Sequence, residues 1–131
     1  MPAKDHYHDA VKRALIKDGW HILDENYFIG TETRQLWVDL HIENGAGEKR
    51  ALVEIKSFSG QSVIEDLANA IGKYLIYRAA LIATQTQVLL YLAIPSCTHR
   101  QIFSESLGLV LRRMIPLHLI VYDIAGEVIN G

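Results

Sequence analysis

Leu36-Trp37-Val38-Asp39-Leu40-His41-Ile42-Glu43 and Lys49-Arg50-Ala51-Leu52-Val53-Glu54-Ile55-Lys56, joined by Asn44-Gly45-Ala46-Gly47-Glu48, form the stretch on which the fold turns. In the first segment Leu36, Val38, Leu40 and Ile42 alternate with Trp37, Asp39, His41 and Glu43, the period of a strand with two unlike faces. The second segment predicts a strand over 49–56, with Ala51, Val53 and Ile55 on one side and Leu52, Glu54 and Lys56 on the other. Asn-Gly followed by a further Gly gives the backbone freedom for a tight reversal, so the two strands should form a hairpin.

Apolar faces must meet across that hairpin, because a slip of one residue would turn a whole strand face to the wrong side of the sheet. If Asn44 pairs with Lys49 across a four-residue loop, Leu40 meets Val53, Val38 meets Ile55, and Asp39 lies opposite Glu54. Neighbours of this kind have Cβ atoms ~4.5–5.5 Å apart, where two carboxylates repel unless something positive lies between them. A divalent cation resolves the conflict. Hard oxygen ligands suit Mg²⁺ or Mn²⁺, which are held by one or two carboxylates with other positions left to water and phosphate. Lys56 projects from the same face and can hold an attacking water or stabilise charge on a phosphate. Glu-x-Lys is also common on solvated sheet faces, where opposite charges simply alternate. Trp37 and Leu52, however, share this face and imply partial burial, and buried charges without a role are costly.

Upstream of the hairpin, Asp5 is placed to cap a helix in which Tyr7, Ala10, Val11, Ala14 and Leu15 recur at helical spacing until Gly19. Trp20 to Leu23 and Tyr27 to Ile29 favour two short strands separated by the turn-like Asp24-Glu25-Asn26. Downstream, Ser62-Val63-Ile64-Glu65 reads as a capping box, with Ile64, Leu67, Ala68, Ile71, Tyr74, Leu75 and Arg78 marking one face of a long helix. Val88 to Ile94 predicts a strand covered on both sides and ended by Pro95. Ile102 to Met114 predicts one more helix, and Leu117 to Ile124 a last strand. Trp20, Tyr74 and Leu75 read as core. The order alternates late strands with helices, which makes an α/β domain spanning residues 1–131.

Bulk composition narrows the function. The 131 residues are 50% hydrophobic, enough for one closed core. Cys97 is the single cysteine, so neither an intramolecular disulfide nor a cysteine metal cluster can form, which suits a reducing, cytoplasmic setting. No apolar run approaches the ~20 residues that span a bilayer, so no membrane is expected as a partner. A formal charge of −2 argues against a protein that coats nucleic acid through many phosphate contacts; phosphate chemistry must use a local site. The apolar strands and C-terminal segment also allow a homodimer.

Asp39 with Glu54-Ile55-Lys56 resembles the PD-(D/E)xK nuclease superfamily, in which an acidic strand and an acidic-x-Lys strand build a metal site. Met1-Pro2-Ala3-Lys4-Asp5, Tyr7-His8-Asp9-Ala10-Val11-Lys12, Ala14-Leu15-Ile16-Lys17-Asp18-Gly19-Trp20, Val53-Glu54-Ile55-Lys56-Ser57-Phe58 and Tyr74-Leu75-Ile76-Tyr77-Arg78 resemble the XisH family over nearly the whole chain. Members of that family are known as controlling factors for excision of the fdxN element in cyanobacteria. The resemblance implies a restriction-endonuclease-like mixed β-sheet flanked by helices. It implies catalytic Asp39, Glu54 and Lys56, with the metal on Asp39, Glu54 and Ile55. Its implied partners are DNA, an XisI-like companion protein and a site-specific recombinase. Excision control need not include cleavage by this chain, so a non-catalytic regulator that binds DNA or a protein partner is the alternative. Nucleases of the RecB type carry Gln-x-x-x-Tyr on the next helix, where this chain has Lys73 and Tyr77. The two share a helical face, so Lys73 can reach the carboxylates or a phosphate, or can partly replace the metal.

His8 is a further candidate, since a His or acidic side chain from the first helix approaches the metal in related folds; a helix-edge His otherwise serves as a surface hydrogen-bonding group. Asp9 is a weaker candidate. Gln61, just before the capping box, can contact phosphate or simply meet water. Arg112-Arg113 should complement a helix dipole, His99-Arg100 should open a helix in solvent, and Cys97 should pack rather than react.

Overall fold

The computed structural model describes residues 3–130, with side chains from His6 onward. The first helix, α1 (Ala3–Lys17), starts upstream of Asp5, and any cap from the Asp5 side chain lies outside the described residues. Val11, Ala14 and Leu15 are fully buried, and Gly19 ends the helix in a left-handed conformation (φ +95°) that a side chain would resist.

Three strands follow, β1 (His21–Gly30), β2 (Gln35–Glu43) and β3 (Arg50–Ile55), then the long helix α2 (Val63–Ala83). Strand β4 (Leu89–Pro95) leads into α3 (Ser96–Ile102) and α4 (Ser106–Met114), and β5 (Leu119–Asp123) and β6 (Val128–Ile129) complete the chain. The strands form a single mixed sheet in sequence order, antiparallel from β1 to β3, parallel from β3 to β5 and antiparallel again at β6. The α/β class and the mixed sheet flanked by helices are therefore as expected.

Helices cover both faces. Val11 and Leu15 of α1 pack on Leu40, Ile42, Ala51, Val53, Ala93, Ile120 and Tyr122. On the other face Leu67, Ala70, Tyr74, Tyr77, Ala80 and Leu81 of α2 pack with Val38, Leu52, Leu90, Leu92 and Ile94, joined by Ile102 and Phe103. The β3 side chains divide as their alternation requires, Ala51 and Val53 toward α1, Leu52 toward α2. The hairpin register is also as expected. Leu40 pairs with Val53 and Ile42 with Ala51, while the Asn44 N–H donates to the Lys49 carbonyl at 2.9 Å.

Several expectations are corrected. Asp24-Glu25-Asn26 is not a turn between two strands, because continuous pairing with β2 draws the whole of 21–30 into one strand. The local signal was real in another sense: the register shifts between Ile22 and Asp24, and Asn26 adopts φ +57°, a conformation that Asn tolerates. Even-numbered β2 side chains change layers at the same level, Val38 toward α2 and Leu40 toward α1. The expected helix over 102–114 starts only at Ser106, as α4, while Ile102 closes the separate helix α3; Gly108 of α4 sits so close to the Ile102 carbonyl that a Cβ would lie 2.2 Å from its oxygen. His99 and Arg100 accordingly close α3 rather than open a helix. In α2 the buried stripe runs through Tyr77, Ala80 and Leu81, which leaves Leu75 42% and Ile64 58% exposed instead of in the core. Trp20 is half-buried, Trp37 is 50% exposed against Phe28, and Cys97 is exposed rather than packed. The two-residue β6 had no periodic signal to reveal it.

Candidate functional site

The antiparallel ladder between β2 and β3 stops at Leu40 and Val53, one pair short of Asp39 and Glu54. Beyond it the Asp39 Oδ2 accepts the Ile55 N–H at 2.8 Å, so a carboxylate takes the place that a main-chain carbonyl would fill in a continued ladder. Because β3 now turns to β4, the Lys56 N–H donates to the Ala93 carbonyl at 3.0 Å. The strands part here, and a cleft of about 190 Å³ opens, lined by Tyr7, His8, Asp39, Glu54, Ile55, Lys56, Ser57 and Lys73. Asp39, Glu54, Ile55 and Lys56, four residues singled out by their spacing or by the family resemblance, thus line one cavity.

Glu54 is the unusual member. It is 6% exposed, and its Oε1 has no hydrogen-bond partner. Burial and then the neighbouring Asp39 charge push its carboxyl up to about 8, against the opposing pull of Lys73. The Lys73 Nζ lies 3.9 Å from Glu54 Oε2, longer than a hydrogen bond, and its side chain is 55% exposed. Tyr77, one helical turn on, does not reach into the cleft. Its hydroxyl donates to the Trp37 carbonyl at 3.0 Å and is pushed up to about 12, by burial first and then by Glu54 and Asp39. It therefore stays protonated and fastens β2 to α2.

Lys56 lies just past β3, with its Nζ 3.8 Å from Asp66 Oδ1. Asp66 also accepts the Gly60 N–H at 2.9 Å, and Ser62 caps α2 by accepting the Glu65 N–H at 3.2 Å, as the capping-box reading expected. On the other side the buried Tyr122 hydroxyl, its pKa raised by burial and by Tyr7 and Cys97, donates to the Lys56 carbonyl at 3.3 Å. Asp66 and Tyr122 were not foreseen. Asp66 sits in an ordinary acidic first turn, and Tyr122 meets Lys56 across 66 residues, a contact without a local signature.

His8 lines the cleft, but its Nε2 lies 3.0 Å from Glu25 Oε1, and Lys12 holds the other oxygen of the same carboxylate at 2.8 Å. These contacts hold the Glu25 carboxyl below its usual range. Asp9 and Gln61 are exposed, and Gln61 is not among the cleft-lining residues. Arg112 and Arg113 occupy the last turn of α4, as a dipole role requires, and Arg112 also lies 5.9 Å from the Phe103 ring centre.

The donor set fits a hard divalent cation. Asp39 and Glu54 supply oxygen only, the orphaned Glu54 Oε1 lacks a partner, and two carboxylates are enough for an ion that keeps several waters. Among the described residues no group of three or more His, Cys, Asp or Glu side chains converges.

A family model described as XisH protein matches residues 1–130. No curated protein matches. Among solved structures, a fdxN element excision controlling factor protein from Anabaena variabilis superposes with a TM-score of 0.89 at 34% identity, covering 97% of each chain. An XisH family protein from Nostoc punctiforme gives 0.89 at 33% identity, covering 97% of this chain and 98% of its own. Among the described residues no helix is long and apolar enough to cross a membrane.

Proposed function

Since this chain belongs to the XisH family, we propose that it is a controlling factor for excision of a DNA element that acts on DNA through a metal-dependent, restriction-endonuclease-like site of the PD-(D/E)xK kind. The observation that carries this reading is the buried, orphaned Glu54 Oε1, in a cleft that Asp39 and Lys56 also line. Asp39, Glu54 and the Ile55 main chain would hold Mg²⁺ or Mn²⁺. When bound, that ion supplies Lewis-acid polarisation of a phosphodiester and lowers the pKa of a water. Asp39, tied to Ile55, keeps its carboxylate fixed against β3. Lys56, steadied through Asp66 and through its own carbonyl, presents an ammonium that orients the attacking water or offsets charge on the phosphate. The working partners are DNA, an XisI-like companion protein and a site-specific recombinase, in the cytoplasm.

Incubating the protein with linear, nicked and branched DNA and Mn²⁺, alone and with its companion, tests this. Cleavage should appear with Mn²⁺ and fall by roughly 10²–10³ in Lys56→Ala. No Mn²⁺ binding by calorimetry in the wild type, or unchanged cleavage in Lys56→Ala, would overturn the nuclease reading.

A second reading is favoured by a different observation. The outer face of α2 exposes Ile64, Leu75, Ile76 and Ile82, and α4 exposes Leu107, Leu109, Val110 and Met114. Apolar side chains grouped in this way suit a regulator that binds a protein, either its companion or a second copy of itself, without cutting DNA.

A further inference from the structure

Two ammonium groups line the cleft, each at ion-pair distance from one carboxylate, Lys56 at 3.8 Å and Lys73 at 3.9 Å, and they differ in exposure, 29% against 55%. Lys56 lies beside Asp66, whose other oxygen accepts the Gly60 N–H and so fixes that carboxylate. Lys73 faces Glu54, a carboxylate whose side chain is 8% exposed and whose second oxygen is unpartnered. The 3.9 Å separation is too long for a fitted hydrogen bond, and the Lys73 side chain is 55% exposed. An ammonium on a flexible four-carbon stem can leave such a position at little cost, because water replaces the contact it loses.

A divalent ion on Asp39 and Glu54 and an ammonium against Glu54 would be like charges at close range in a partly desolvated cleft. The ion must displace the ammonium. Once displaced, Lys73 stands at the rim of the same cleft with its charge uncompensated, which is where the phosphates of a bound nucleic acid would pass if the metal site acts on DNA. Lysine serves phosphate well as a mobile point charge.

We propose that Lys73 is the resident counter-ion of this site, an ammonium that holds Glu54 until a divalent cation displaces it and then moves onto a phosphate of the nucleic acid. This rests on the metal-site reading. Its consequence is thermodynamic coupling: the metal frees the ammonium for the polyanion, the polyanion draws the ammonium off the carboxylate, and each tightens the other by the same factor. Lys73 competes with the metal for Glu54, so its charge weakens metal binding in the absence of DNA and strengthens it in the presence of DNA.

The test is calorimetric titration of Mn²⁺ into the full-length protein as wild type, Lys73→Gln and Lys73→Arg, with and without a short phosphorothioate duplex that resists cleavage. Circular dichroism checks that each variant is folded. Without DNA, Lys73→Gln should bind Mn²⁺ about fivefold more tightly than wild type or tighter, and Lys73→Arg should stay near wild type. The duplex should tighten Mn²⁺ binding several-fold more in wild type and Lys73→Arg than in Lys73→Gln, and equal tightening in all three would overturn the transfer of Lys73 to phosphate. If wild type binds Mn²⁺ and Lys73→Gln binds it equally or more weakly without DNA, the counter-ion role is wrong and the metal site stands. If neither the wild type nor the variants take up Mn²⁺, the metal site and the counter-ion role fall together.

Discussion

The Asp39 carboxylate accepts the Ile55 N–H at 2.8 Å, so a side chain of β2 finishes the ladder that its own main chain leaves incomplete at Leu40 and Val53. The contact has two consequences of opposite sign. It satisfies a half-buried main-chain donor, and it holds a negative charge beside Glu54, which raises the cost of ionising that group.

Substitutions at Asp39 separate the two. Asp39→Asn keeps an acceptor for Ile55 and removes the charge, so it should leave stability near wild type and lower the Glu54 pKa. Asp39→Ala leaves the Ile55 N–H without its partner and should cost about 1–2 kcal/mol. Chemical denaturation and carboxyl titration by NMR measure both quantities, and equal stability of the two variants would show that the hydrogen bond contributes nothing.

Glu54 predicts how stability varies with pH. Its carboxyl ionises near 4.5 in the unfolded chain and at about 8 in the folded protein. Below 4.5 both states are protonated and no penalty arises; between these values only the unfolded state releases the proton, so stability falls as pH rises and levels off above about 8. The loss is confined to that window. Melting curves from pH 5 to 9 (roughly the window of the shift) should therefore decline more steeply in wild type than in Glu54→Gln. Added Mn²⁺ should flatten the wild-type decline, because a bound cation favours the ionised form.

The Tyr77 hydroxyl bridges α2 to the Trp37 carbonyl at 3.0 Å, just where β2 changes layers. Tyr77→Phe should cost about 1 kcal/mol and loosen the far half of the β1–β2 ribbon. Hydrogen exchange should quicken around 27–38 and remain unchanged around the Leu40 and Val53 pair. Uniform protection across the ribbon in Tyr77→Phe would show that the bridge does not anchor it.

The exposed apolar face of α2 makes a separate prediction about assembly. Ile82 is 73% and Ile76 is 56% exposed, so charging either should leave the monomer's stability within about 0.5 kcal/mol. If two copies pair through this helix, sedimentation should show a concentration-dependent dimer that Ile76→Asp and Ile82→Asp dissolve. A wild type that stays monomeric at high concentration removes the homodimer and leaves the face to another protein.

The alternation from Leu36 to Ile42 and from Ala51 to Ile55, with a four-residue Gly-containing loop between them, was enough to determine the hairpin and its parity, because a buried face allows one register. It was also enough to bring Asp39 and Glu54 to one place, since cross-strand geometry is local. The phase of α2 was legible only in part: Leu67 and Tyr74 are buried as read, but Tyr77, Ala80 and Leu81 also point inward and Leu75 outward, because the helix is apolar on several sides and only docking on the sheet selects a face. The break between α3 and α4 was hidden for a similar reason, resting on the packing of Gly108 against Ile102. Tertiary structure alone decided that the ladder stops one pair early, that Asp66 and Tyr122 take hold of Lys56, and that Lys73 is the ammonium left facing Glu54. A repeating pattern records which side of an element is apolar, but the partner of a buried charge depends on which distant element arrives beside it.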